Sequence, residues 1–117
     1  MARLSTHVLD TSTGKPAAGL AIELFSWQAG IRYPVKSEIT NTDGRTDEPL
    51  IAGDSIETGE YELVFAVAKY FRAHGVSLPS PPFLDQVVIR FGIAEAHGNY
   101  HVPLLVSPYG YSTYRGS

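Results

Sequence analysis

Clusters of Gly, Pro, Asn and Asp cut this chain into short β-rich runs, and that punctuation limits the possible folds more than any other feature. Short runs bounded by turn-forming residues build antiparallel sandwiches or barrels. Residues 4–10, 20–27, 31–40, 60–67, 83–93, 99–107 and 109–115 read as seven strands, with room for an eighth, very short one. The run 60–67 alternates Tyr61, Leu63, Phe65 and Val67 against Glu60, Glu62, Val64 and Ala66, so the first set faces the core. In 20–27 both faces are partly apolar. The pattern changes once, at 68–74, where Tyr70 and Phe71 sit among Lys69 and Arg72 before Gly75. This predicts a helix of about two turns with a glycine C-cap. Pro79, Pro81 and Pro82 then impose an extended loop, because each fixes φ and removes a donor.

The chain has 117 residues, the length of one domain spanning 1–117. Its 9 basic and 12 acidic residues give a net charge of −3, with no periodic basic face, so no nucleic-acid partner is expected. The longest apolar run, 63–68, is far shorter than the roughly 20 residues that cross a bilayer, so no membrane span is expected. The start lacks the apolar stretch of a secretory leader, and the chain reads as cytoplasmic. With no cysteine there can be no disulfide, thiolate metal site or thiol nucleophile.

Within 99–107, Tyr100, Val102, Leu104 and Val106 form the natural core face. His101 then points outward with Leu105 beside it, an arrangement suited to a second subunit. Pro103 implies an edge or a bulge, since it has no ladder donor. His97 and His101 are four apart, but Gly98-Asn99 breaks any helix there, and four strand residues span about 13 Å, too far for one ion. No metal is assigned to them. His7 alone reads as a structural strand residue, although an imidazole suits acid–base work near neutral pH. Arg45 follows the tight turn expected at Asn41-Thr42-Asp43-Gly44. It reads either as a partner for Asp43, Asp47 or Glu48, or as a guanidinium fork for a planar, carbonyl-rich anion. The closing Tyr109-Gly110-Tyr111-Ser112-Thr113-Tyr114-Arg115-Gly116-Ser117 reads by itself as an aromatic edge strand.

Taken together, four segments point further: Leu4-Ser5-Thr6-His7-Val8-Leu9-Asp10 with Gly14-Lys15-Pro16-Ala17, Thr42-Asp43-Gly44-Arg45, residues 100–114 from Tyr100-His101-Val102-Pro103 onward, and the terminal Tyr114-Arg115-Gly116-Ser117. In these the chain resembles the 5-hydroxyisourate hydrolase family of transthyretin-like proteins. The resemblance implies an all-β sandwich of two four-stranded sheets with one short helix, and a homotetramer with active sites where dimers meet. It implies hydrolysis of the ring lactam of 5-hydroxyisourate, without a cofactor. By the same resemblance His7, Arg45, His101 and Ser117 are catalytic, and His7, Arg45 and Tyr114 bind substrate. Asn99 departs from a His common at that position in the family. The competing expectation is a carrier of a small aromatic ligand on the same fold, without catalysis.

Overall fold

The computed structural model describes residues 1–116. Nine strands and one helix follow in the order β1 (Ala2–Asp10), β2 (Lys15–Pro16), β3 (Ala21–Gln28), β4 (Ile31–Ile39), β5 (Ile51–Gly53), β6 (Gly59–Phe65), α1 (Val67–Ala73), β7 (Val87–Ile93), β8 (Asn99–Ser107) and β9 (Gly110–Thr113). Two sheets face each other across a core. One has the order β4-β3-β6-β7, and the other runs from β1 through β8 to β9. The free side of β1 is shared by two short segments, β5 against Ala2 to Leu4 and β2 against Leu9 and Asp10. This sheet is therefore four strands wide although it contains five segments, as a sandwich of two four-stranded sheets requires. One pair departs from the antiparallel pattern: β1 and β8 run parallel over eight residues.

The expected inner faces are those observed, except that β6 ends at Phe65, and Val67, expected to extend that face, is buried as the first residue of α1. Tyr61, Leu63 and Phe65 from β6 meet Tyr100, Val102, Leu104 and Val106 from β8 in the core, with Leu4 and Val8 from β1 and Ile22 and Leu24 from β3. Removing each such side chain from water stabilises the fold by roughly 1.5–3 kcal/mol. The cost of burying Asp10 among them is offset by hydrogen bonds: Tyr70 Oη donates to its Oδ2 at 2.9 Å and Ser12 N to its Oδ1 at 2.9 Å. Burial, with the Asp10 carboxylate as second cause, pushes the Tyr70 phenol up to about 12.

Several element boundaries differ from the sequence reading, for identifiable reasons. The helix begins one residue earlier than expected and ends at a Schellman motif: Val76 N–H reaches Phe71 O and Gly75 N–H reaches Arg72 O, with Gly75 at φ 82°. The strand predicted from residue 83 starts at Val87, because its partner β6 ends at Phe65, the residue paired with Val87. Residues 83–86 have no strand to lie against, and Phe83 instead meets Tyr109 with ring centroids 6.0 Å apart. Lys15 and Pro16, read as part of a turn, form β2.

Candidate active site

Alternation along β1 buries Ala2, Leu4, Thr6, Val8 and Asp10 and leaves Arg3, Ser5, His7 and Leu9 on the outer face of the sheet. In β8 the same alternation turns Asn99, His101 and Leu105 outward. The parallel register then sets Ser5 opposite His101 and His7 opposite Pro103. Residues from the two ends of the chain thus share one face, and Ser5 Oγ lies 2.8 Å from His101 Nδ1. On the core side Thr6 Oγ1 donates to Val102 O at 2.7 Å, tying the two strands together beneath these groups.

Arg45 arrives from the other edge of β1. Asn41 Oδ1 accepts the amides of Asp43 and Arg45 at 2.9 and 3.2 Å, closing the turn in front of Gly44. Gly44 has φ 73°, and a Cβ there would stand 2.4 Å from Val8 O, so no other residue fits without displacement. This close approach lets Val8 N–H donate to Gly44 O at 2.8 Å and places Arg45 in a β-bridge with His7. The bridge fills the gap that β5 and β2 leave along β1. The acids of this loop do not hold Arg45: none of the three ion pairs among the described residues includes it, and Asp47 Oδ1 accepts instead from Asn41 Nδ2.

A cleft of about 260 Å³ opens here, lined by Arg3, Ser5, Arg45, Asn99, Tyr100 and His101. Its electrostatics are those of a cationic site on an acidic protein. Burial first, and the Arg45 guanidinium second, push His7 below the usual 6.5 of histidine, while a backbone hydrogen bond at Asp43 and the Asp43 charge oppose the shift. His101 is lowered by burial, then by Arg45, His7 and Arg3 in turn. Both imidazoles are therefore largely neutral at pH 7 and can accept a proton. The two guanidiniums favour an anionic ligand or a developing oxyanion.

Of the residues singled out in the sequence, His7, Arg45 and His101 come together, and Gly116 of the terminal motif joins them through a β-bridge to His101. Tyr114 stands elsewhere: it is 60% exposed and borders a second cavity, of about 370 Å³, with Ile89, Phe91, Val102 and Arg115. Ser117 lies outside the described residues. Pro103 explains why β9 stops at Thr113. Continuing the register would pair Pro103 with Tyr114, and Pro103 has no N–H to donate there; its carbonyl accepts from Thr113 Oγ1 at 2.7 Å instead. The proline is thus neither at an edge nor in a bulge but at a break in the β8–β9 ladder, which resumes at His101 and Gly116.

His97 is turned away, its Nδ1 donating to Asp54 O at 3.1 Å, and no group of three possible metal ligands gathers among the described residues. Sequence reasoning missed Arg3, Ser5 and Asn99 as lining residues. The signal was available, since Arg3 and Ser5 are four and two positions before His7 on a period-two strand, and Asn99 is two before His101.

This sandwich, with a basic cleft lined by His101 and Arg45 and flanked by His7 on the outer face of one sheet, defines a transthyretin-like protein with the groups of a hydrolase. The chain belongs to the HIUase/Transthyretin family, whose model matches residues 4–116. It is 62% identical over 115 residues to a 5-hydroxyisourate hydrolase of Mesorhizobium japonicum, covering 98% of this chain and 92% of that one. It is 58% identical over 117 residues to a 5-hydroxyisourate hydrolase of Ralstonia nicotianae, covering all of both chains. Among solved structures, the 5-hydroxyisourate hydrolase of Klebsiella pneumoniae superimposes with a TM-score of 0.82 at 34% identity over the full length of both.

Proposed function

We propose that the chain, as one domain over residues 1–117, hydrolyses the ring lactam of 5-hydroxyisourate to 2-oxo-4-hydroxy-4-carboxy-5-ureidoimidazoline, a step of urate degradation. The observation that carries this reading is a cleft lined by the His101 imidazole and the Arg45 guanidinium, with the second imidazole, His7, bridged to Arg45 beside it, in a chain closely similar to enzymes of that name.

An uncharged amide resists water, so the site must both activate the nucleophile and stabilise the oxyanion. His101 takes a proton from water as the hydroxyl oxygen attacks the lactam carbonyl carbon. Arg45 stabilises the charge that develops on the carbonyl oxygen. The ring C–N bond then breaks, and the proton held by the imidazole passes to the departing nitrogen, with His7 orienting the water and shuttling the proton. Tyr114 and Ser117 fix the ring edge. The Tyr114 position favours a site completed between subunits, as in a homotetramer with active sites where dimers meet: on its own chain Tyr114 faces a different cavity from the one beside Arg45 and His101. The protein works in the cytoplasm, as a soluble enzyme without a cofactor. No helix among the described residues is long and apolar enough to cross a membrane.

Freshly generated 5-hydroxyisourate provides the test. Catalytic amounts of protein should speed the loss of its absorbance well beyond spontaneous decay, and the product should carry the new carboxylate. A carrier would bind the compound and leave its decay rate unchanged, which would end the hydrolase reading.

A further inference from the structure

The His101 ring is flanked on both sides across the strands. Ser5 lies opposite it on β1, with Oγ 2.8 Å from Nδ1. Gly116 lies opposite it on the β9 side, donating its N–H to His101 O at 2.7 Å. A Cβ on Gly116 would stand 2.7 Å from His101 Cδ2 and 3.3 Å from Cγ. Gly116 is not among the residues with positive φ, so a side chain there costs no backbone strain. Among the described residues, the nearest atoms such a side chain would meet are those of His101 itself. The hydroxyl of Ser5 has no other protein partner within hydrogen-bonding distance among the described residues.

We propose that Ser5 and Gly116 are positioning residues for His101: Ser5 Oγ accepts a hydrogen bond from Nδ1–H, Gly116 leaves room for the Cδ2 edge, and Nε2 remains as the one basic nitrogen facing the cleft. The inference rests on the reading of His101 as the base that activates water. In an imidazole, the hydrogen bond made by one nitrogen decides which tautomer the other presents. A ring whose Nδ1 keeps its proton has a free lone pair on Nε2, as deprotonation of water requires. If Ser5 instead donated to Nδ1, Nε2 would carry the proton and could not act as base. The terminal glycine gains a specific function in this account. Gly116 is small enough to pair with His101 without turning the imidazole.

Two measurements on the intact protein test this. The first is the tautomer, read from long-range ¹H–¹⁵N correlations of protein labelled with ¹⁵N-histidine, with the His101 signals identified by their loss in H101N. The wild-type protein at pH 7.5 should show His101 as Nδ1–H, and S5A should shift it toward Nε2–H. The second is turnover. S5A should lower kcat by about tenfold or more, short of the ~10²-fold or greater loss of an acid–base group itself. Its acid limb should move while KM changes little, and S5T, which keeps the hydroxyl, should recover most of the rate. G116A should lower kcat and perturb the His101 ring signals. G110A, whose added Cβ meets nothing closer than 3.9 Å, should do neither. An Nε2–H tautomer in the wild type, or an S5A protein with unchanged tautomer and turnover, overturns the proposal. H101N separates the two readings: full activity in H101N removes the base assignment, whereas an inactive H101N beside an unaffected S5A removes only the role of Ser5.

Discussion

On the outer face of the β4-β3-β6-β7 sheet, Arg32 lies 3.9 Å over the Phe25 ring and pairs with Glu62 at 2.9 Å, while Arg90 lies 4.1 Å over Trp27 and pairs with Glu60 at 2.8 Å. Trp27 Nε1 completes the set by donating to Glu62 at 3.2 Å. The outer face of β1 and β8 presents Arg3, His7 and His101, with Arg45 beside them, and no ion pair of the described residues falls on these groups. One face matches each cation with a carboxylate and a ring; the other brings cations and imidazoles together. Matched charges hold a surface in place. Burial first, and the clustered guanidinium charges second, depress the imidazole pKa values, and the same cluster attracts anions to one cleft of a chain whose net charge is −3.

The sharpest way to break this contrast is to substitute one residue on each side. R45A and H101N should each lower turnover by about 10²-fold or more while leaving the thermal midpoint close to wild type, because both side chains border the cleft and not the core. Either protein turning over 5-hydroxyisourate at the normal rate would remove that residue from the mechanism. Deleting the last four residues should cost a similar factor, since it takes Gly116 from beside His101 and Arg115 from its stack 4.2 Å over Tyr100. Circular dichroism of the truncated protein should stay that of a folded sandwich. A fully active truncated chain would exclude Tyr114 and Ser117 from the site.

E62A should reverse the pattern. Glu62 is 6% exposed and accepts from both Arg32 and the half-buried Trp27, so its loss removes two hydrogen bonds to a carboxylate and should cost about 1–3 kcal/mol in urea unfolding. Turnover per folded molecule should not change. The pH dependence is next in size. Both imidazoles are depressed below 6.5, so the general base stays neutral from pH 7 down to its lowered pKa. The rate should be flat above pH 6.5 and then fall toward tenfold per pH unit once acidity passes that value. The sign for stability is the same. Below 6.5 the unfolded chain takes up protons that the folded one refuses, so the contribution of these histidines is present above 6.5 and is lost as pH falls. An activity that rises on acidification through this range would require a protonated imidazole in the rate-limiting step, and so a different mechanism.

Much of this was legible in the sequence because it is local. Alternation fixed the inner faces of β6 and β8, the Asp43-Gly44 pair marked the turn that delivers Arg45, and Gly75 marked the end of the helix. What could not be read depends on pairing between distant segments. Nothing local announces that β1 lies parallel to β8, 96 residues away, so the Ser5 and His101 contact was invisible even though both residues were quoted. The start of β7 was misjudged because it is decided by where β6 ends. Pro103 was recognised as a disruption, but whether it broke an edge, a bulge or a ladder depended on the position of Tyr114. His7, Arg45 and His101 were found through the resemblance as a set, since each one alone had a structural explanation.

The smallest expected effect bears most directly on how far the site extends. Arg90 belongs to the matched face, and its pair with Glu60 is half exposed on both sides. R90A should therefore cost no more than about 1 kcal/mol, and a double-mutant cycle with E60A should give a coupling of the same small size. Yet Arg90 also lines the cavity that Tyr114 borders. If Tyr114 acts on substrate from within its own subunit, that cavity is part of the reaction, and R90A should raise KM even though it scarcely changes stability. If Tyr114 acts across an interface between subunits, its own cavity is a bystander, and R90A should leave kcat and KM as they are. The unchanged values are the expected result; a raised KM in a stable R90A protein would move the boundary of the active site to β7.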